Sequence, residues 1–458
     1  MDNSALRSLT LANFLADLRF EDLPNHVITE AKRRILDYFA SAYAGRLVNS
    51  VMNAAVFELI TGDGGKEESS LLFSGKKVPA GNAAFVNAVY GHGADIDDGH
   101  KTAMGHPGVT IIPAVLALAE ARSKSAREII TAVVAGYEVY IRLSNCVMPG
   151  LFNRGFHGTG IVGAVASSAA CAKVLGYDAD KIHRAISFGA LHSAGLFNVS
   201  DSGQMSKPIN PGHASHSGVF CALLAGIDGA MPPEDPFEGP KSFFHAYTDD
   251  CHPDELIRDL GRKYMIETAY IKLYPACRHM HPAVDAGAEA MRKGLIDIDK
   301  LTAVKLYTYQ TSIKSTGMIC YPKCGDEAKF SIRYALACAL TTGNYSFANL
   351  EKAAEMPDDV RHLIDIMEVI LDETCENKAK GIRGSRLELV YSDRPSEVIS
   401  IPLPKGEPEL PLNDEDMRNK LTMCSESFIQ LNDQNDIFNM IMDLENIGDI
   451  SVLLKHCK

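Results

Sequence analysis

The sequence predicts a mainly α protein: a large all-helical domain built from both chain ends, interrupted by a smaller α+β domain. Three observations carry this. The first two thirds of the chain read as successive helical stripes, several of them rich in Ala, Gly and Ser. Residues 302–403 hold three short segments in which apolar and polar residues alternate. A proline-punctuated stretch (Pro402, Pro404, Pro408, Pro411) then precedes a return to helical periodicity over Asp414–Lys458. The divisions fall at 1–270, 271–407 and 408–458. A chain of 458 residues is long enough for two domains, and 46% apolar with 22% charged residues is ordinary globular composition.

The elements follow in order. Leu23–Gly45 places Val27, Ile28, Ala31, Ile35, Leu36, Phe39 and Ala40 close to one helical face. Ser125 followed by Glu128 is a capping-box pattern opening a helix that ends near Leu143. Thr159–Leu175 and Asp178–Gly195 form two more helices, whose small residues let helix axes approach closely. In the smaller domain Thr302–Tyr309, Arg386–Ser392 and Glu397–Leu403 make a three-stranded sheet, with Lys329–Leu340 and Asp358–Leu371 as helices on it. No repeat of fixed period is present, which argues against a solenoid.

Charge and composition exclude several classes. A formal net charge of −13 argues against a nucleic-acid partner. No uncharged run reaches the ~20 residues of a membrane span. The N-terminus carries early acids and lacks a signal-type apolar core. Eleven cysteines spread singly read as reduced thiols in a cytoplasmic protein.

Gly158-Thr-Gly-Ile-Val-Gly163 matches the dinucleotide fingerprint in spacing, but the strand that should precede it is replaced by PGLFNRGFH. Helix packing explains these glycines better than a nicotinamide cofactor. Gly62–Lys66 lacks phosphate-loop spacing, and Cys320 with Cys324 has no second pair at zinc-site spacing. Four other segments concentrate ionisable groups. His92–Pro107 holds Asp95, Asp97, Asp98, His92, His100 and His106; metal ligation or acid–base and substrate-binding work are its alternatives. His106 and His157 each open a helix, where an anionic group is favoured. Lys207 lies in a Pro/Gly-rich loop between Ser206 and His213. Lys272–Pro282 crowds Lys272, Tyr274, Cys277, Arg278, His279 and His281 where the helical domain gives way to the sheet domain. Together they describe a site that clamps the carboxylates of a small acid and moves a proton beside one of them.

The order DxDD…HPG, FHGTG, KPxxPG and KxYPACRxxH, followed by AKFSIRYALACAL (Ala328–Leu340), resembles the MmgE/PrpD family through nearly the whole chain. That family includes 2-methylcitrate dehydratase, cis-aconitate decarboxylase and iminodisuccinate epimerase. The resemblance implies an all-helical domain with a smaller α+β lid domain, a homodimer, and catalysis with neither metal nor organic cofactor. Residue by residue it places Asp95, His106, His157, Lys207 and Lys272 in the catalytic site. Departures bear on the substrate: Gly99 and His100 replace the family's usual threonine step, and Cys277 stands where cis-aconitate decarboxylases carry histidine. His100, Cys277, Arg278 and His281 are then candidate substrate contacts. The resulting expectation is a cofactor-independent lyase of the dehydratase or decarboxylase type, acting on a small di- or tricarboxylate. In it His157 or Asp95 is the base and His106 its acid partner, while Lys207, Lys272 and Arg278 hold carboxylates. The alternative is an epimerase on the same scaffold, with Lys272 as second base; an NAD(P) oxidoreductase is the distant one.

Overall fold

The computed structural model describes residues 6–201, 205–377 and 382–457. The chain divides into two compact units, Met1–Ile271 with Asp414–Lys458, and Lys272–Asn413.

The first unit is built on long helices: α1 (Asn25–Val48), α2 (Ala80–His92), α3 (Gly108–Ala121), α4 (Ala126–Val147), α5 (Gly158–Val174), α6 (Ala179–Leu191) and α7 (Ile209–Ala225). Helix α4 starts where the capping box directs it. The Ser125 hydroxyl accepts from the Glu128 amide, and the Glu128 carboxylate accepts from the Ser125 amide at 2.8 Å. Helix α5 lies at the centre, buried from Gly158 to Ala172. Its small residues admit α7 so closely that a Cβ on Gly218 would lie 2.3 Å from the Ser167 Cβ. Gly218→Ala therefore forces two helix backbones apart, and thermal or denaturant unfolding should show a loss of about 2–3 kcal/mol. One detail departs from the all-helical expectation: Ser69–Ser70 pairs antiparallel with Lys77–Val78.

The second unit contains α8 (His281–Arg292), β1 (Leu301–Thr308), α9 (Ile332–Thr342), α10 (Asp358–Asp365), β2 (Met367–Leu371), β3 (Ser385–Tyr391) and β4 (Glu397–Ile401). The sheet has four strands in the order β2-β1-β3-β4. Strand β2, read from sequence as the end of a helix, runs parallel to β1 with Val304 opposite Met367. Helix α10 stops at Asp365, and Met-Glu-Val-Ile-Leu gains more from a ladder against β1 than from continuing the helix. The chain then returns to the first unit as α11 (Asp414–Ser425) and α12 (Leu431–Met442). Among the described residues no helix is long and apolar enough to cross a membrane.

Candidate active site

In the first unit, chain turns bring together residues that the sequence keeps far apart. His92 is the last residue of α2, Asp95–Asp98 form the following loop, His106 lies two residues before α3, His157 caps α5, and Lys207 precedes α7. The partial positive ends of α3, α5 and α7 thus accompany His106, His157 and Lys207, an arrangement that favours bound anions. The Lys207 segment, read as a loop, becomes helical from Ile209, because prolines at 208 and 211 fall where amide hydrogens have no intrahelical acceptor.

Lys207 Nζ donates to Asp95 Oδ1 at 2.9 Å, and His106 Nε2 lies 3.8 Å from the same oxygen. Asp95 holds the left-handed backbone conformation (φ 55°), uncommon for a residue with a side chain and characteristic of functional turns. An ammonium has three donors and Asp95 takes one, so Lys207 is equipped to meet an anionic ligand.

Carbonyl partners define which ring nitrogens carry hydrogen. His106 Nδ1 lies 2.7 Å from the Asp98 carbonyl, which only accepts, so Nδ1 bears the proton and Nε2 is left for chemistry. Asp97 Oδ2 accepts from His92 Nδ1 at 2.8 Å and from His106 Nδ1 at 3.2 Å. Burial works to raise the Asp97 carboxyl, but the two imidazoles outweigh it and hold it well below the usual carboxylate range. Burial pushes His92 down to about 4 against the pull of Asp97, so at neutral pH it is a neutral imidazole with its proton on Nδ1. Among the described residues its Nε2 is buried without a hydrogen-bond partner.

His157 has the opposite tautomer. Asn210 Nδ2 donates to the Leu196 carbonyl at 3.2 Å and to His157 Nδ1 at 3.0 Å. The carbonyl orients the amide, so Nδ1 accepts and the neutral ring carries its hydrogen on Nε2. Burial first, then the nearby Lys207, His92 and His106, hold His157 well below the ordinary histidine range. It is thereby held as a neutral ring with hydrogen on Nε2, which suits a hydrogen-bond donor better than the base role weighed for it alongside Asp95.

Asp98 is part of the support. It accepts from the Gly108 amide (3.0 Å) and the Tyr137 hydroxyl (2.6 Å), and burial raises it to about 6. His100, expected to contact substrate, has both nitrogens engaged: Nδ1 accepts from the Ala103 amide at 3.0 Å, and Nε2 bonds Thr268 Oγ1 at 2.9 Å. It holds the loop together instead.

Burial pushes His100 down to about 3, and an imidazole buried neutral binds a proton less readily folded than unfolded. Stability contributed by His92 and His100 is therefore present above the unfolded value near 6.5, and is lost as pH falls toward about 4 and about 3. Denaturant titrations between pH 7 and 4 should show stability falling with acid, and His100→Asn should flatten that fall.

Lys272 is 2% exposed. Arg278 donates to Glu407 Oε1 from Nε (3.0 Å) and Nη2 (2.8 Å), and from Nη1 to His281 Nδ1 and the Lys405 carbonyl. His281 is fully buried, and its Nε2 faces the Ala276 carbonyl at 3.2 Å. Arg278 and His281, expected as substrate contacts, are thus bound up in a structural network, because the guanidinium is already matched to a buried carboxylate. Arg278→Met removes that match and should destabilise the protein by about 3 kcal/mol or more in an unfolding titration. Cys277 is half-buried. His279, to which the sequence assigns no role, shares a hydrogen bond of 2.6 Å between Nδ1 and the Tyr309 hydroxyl; burial pushes the imidazole down to about 4 and the Tyr309 hydroxyl upward.

Asn210 is the neighbour that the sequence does not single out, and His92 and Asp97, counted there in the ionisable segment, carry no individual role in that reading. The available signal was His92 at the end of an apolar helix, three residues before Asp95. Among the described residues, His92, Asp95, Asp97 and His106 bring potential ligand atoms within 4.8 Å of one another, as a metal centre requires. The Lys207 ammonium on Asp95 already supplies positive charge there. The dinucleotide alternative lacks its required context: residues 150–157 form a short helix and a turn, not a strand.

Residues 9–256 match the model of the MmgE/PrpD N-terminal domain, and residues 274–446 that of the MmgE/PrpD C-terminal domain. The chain belongs to the MmgE/PrpD family. Among curated relatives it is similar to the cis-aconitate decarboxylase-like protein oryM of Aspergillus oryzae, 25% identical over 97% of this chain and 95% of that one. It is 24% identical to the cis-aconitate decarboxylase of Aspergillus terreus (99% and 96% covered) and to that of Homo sapiens (98% and 94%). In this MmgE/PrpD protein the first family domain carries the whole His92–Asp95–Asp97–His106–His157–Lys207 cluster.

Proposed function

We propose that this protein is a lyase of the decarboxylase or dehydratase type acting on a small di- or tricarboxylate. The observation that carries the reading is the Lys207 ammonium beside a histidine pair of opposite tautomer, His106 with Nε2 available and His157 with Nε2–H outward of its Asn210 anchor. Lys207 and the helix N-termini hold a substrate carboxylate. His157, kept neutral, donates a hydrogen bond to the carboxylate that takes up enolate charge in the transition state, the largest contribution in such chemistry. His106 moves the proton.

In decarboxylation the carbon–carboxylate bond breaks and its electron pair enters the conjugated system. Carbon dioxide leaves, and protonated His106 delivers Nε2–H to carbon. In dehydration neutral His106 takes the proton next to the carboxylate at Nε2 and passes it to the β-hydroxyl, which departs as water as its carbon–oxygen bond breaks and the double bond forms. The chemistry on either route needs no group beyond these side chains. The relatives named above are decarboxylases of cis-aconitate or proteins like them, which makes the decarboxylation route the first to test.

The test is proton NMR in D2O with cis-aconitate, 2-methylcitrate, substituted malates and iminodisuccinate, using Lys207→Ala as control. Vinyl signals with loss of carbon dioxide or water establish the lyase and name its acid. Deuterium entering an otherwise intact substrate makes it an epimerase instead, and no change with any acid removes the substrate class.

A further inference from the structure

Lys420 lies on α11, the helix by which the C-terminal segment rejoins the first unit. Its side chain is completely buried and reaches two acceptors: the Asp37 carboxylate on α1 and the Ile96 carbonyl, the latter at 2.8 Å. Ile96 stands between Asp95 and Asp97. Burying a lysine with an aspartate gains little stability by itself, because desolvating both charges offsets their attraction, and a well-packed apolar pair serves as well. Burial in fact raises the Asp37 carboxyl even with the Lys420 ammonium pulling it down. What the ammonium supplies, and an apolar side chain does not, is a donor to a backbone carbonyl of the catalytic loop.

That peptide has an unusual position. The residue before it, Asp95, is left-handed, a conformation that persists only when its surroundings over-determine it. The residue after it, Asp97, accepts from both His92 Nδ1 and His106 Nδ1. Fixing the Ile96 carbonyl therefore fixes the backbone on which Asp95 meets Lys207, and it fixes the carboxylate that orients two imidazoles. The loop is held from its other end by Asp98, through Gly108 and Tyr137. Lys420 is the contact that comes from the far end of the chain.

We propose that Lys420 is a positioning residue: it holds the Ile96 peptide so that Asp95 and Asp97 are presented to Lys207, His92 and His106, and it makes the active site dependent on docking of the C-terminal segment. The proposal rests on the lyase reading for its kinetic arm only. Lys420→Met keeps the length of the side chain and removes the donor, but it strands Asp37. The double variant Asp37→Asn/Lys420→Met removes the stranded charge as well, and Asp37→Asn alone keeps the ammonium on Ile96.

Two measurements on the full chain decide the matter. Long-range proton–nitrogen correlation of 15N-histidine protein reports the imidazole tautomers. Steady-state kinetics with the acid found above report kcat and KM. The double variant should lose the fixed Nδ1–H signatures of His92 and His106, and kcat should fall about 10²-fold, the cost of roughly an ångström of misplacement, with KM changed much less. Asp37→Asn should retain the parent tautomers and most of kcat. A folded double variant with parental tautomers and parental kcat overturns the proposal, as does an Asp37→Asn variant that loses as much as the double. If the parent turns over none of the acids, the lyase reading fails, while the tautomer comparison still decides the role of Lys420.

Discussion

Lys207→Met should lower kcat/KM by about 10³-fold, the scale of losing one preorganised electrostatic contact to the charge that develops in the transition state. Three consequences of the geometry add up in this variant. The substrate carboxylate loses the ammonium at the head of α7. Asp95 loses its 2.9 Å partner, so less positive charge remains where another anion must bind. His157 and His92 lose a positive neighbour that, together with burial, helps hold them neutral. The acid limb of the pH–rate profile should accordingly move to higher pH, because both imidazoles protonate more readily. Lys207→Arg should recover only part of the loss, since a planar fork does not replace a point charge in a site shaped for one. A Lys207→Met enzyme within about threefold of the parent would remove the residue from the mechanism.

His106→Gln should act on kcat more than on KM, by about 10²–10⁴-fold, the range for removal of a positioned proton-transfer group. The reason lies in the tautomers. Asn210 occupies the Nδ1 lone pair of His157, and Asp97 with the Asp98 carbonyl engages the Nδ1–H of His106. Of these two rings His106 is the one that presents an Nε2 able to take a proton and return it. Glutamine keeps a polar side chain of similar reach but can neither take up nor return a proton, so the shape of the variant's pH–rate profile should change. His157→Gln should behave differently: a weaker hydrogen bond to the substrate, a smaller fall in kcat, and a profile that keeps its shape. Equal profiles in the parent and His106→Gln would reverse the assignment.

The helices were legible in the chain because helical periodicity, caps and glycines are local properties. Ser125 with Glu128 marks the start of α4 as sequence alone says, and the small residues of Gly158–Val174 announce a helix to be packed from several sides. Strand β2 was not legible. Met367–Leu371 is a short apolar run that helix and strand share, and only the neighbouring β1 decides between them. Among site residues, the chemistry of Asp95, His106, His157 and Lys207 was visible as residue types, the two histidines beside helix starts and Asp95 and Lys207 in loop motifs. Their roles were not, because a role depends on which nitrogen carries a hydrogen, and that is set by Asn210, anchored on Leu196, for His157 and by the Asp98 carbonyl for His106.

The same limit explains His100, Arg278 and His281. Each is ionisable and lies in a motif, yet Thr268, Glu407 and Ala276 occupy their polar atoms in the folded chain. Lys420 is the reverse case, a lysine in an unremarkable helix that the fold carries to the Ile96 carbonyl 324 residues away. By itself the sequence determined the helical class and the kinds of side chain available for proton transfer and anion binding, since both follow from spacing along the chain. Tertiary structure alone decided which of those side chains are engaged elsewhere, which ring nitrogens hold protons, and what keeps Asp95 in its strained backbone. Burial and hydrogen-bond partners settle those matters, and folding supplies them from near and far along the chain, as far as the 324 residues between Ile96 and Lys420.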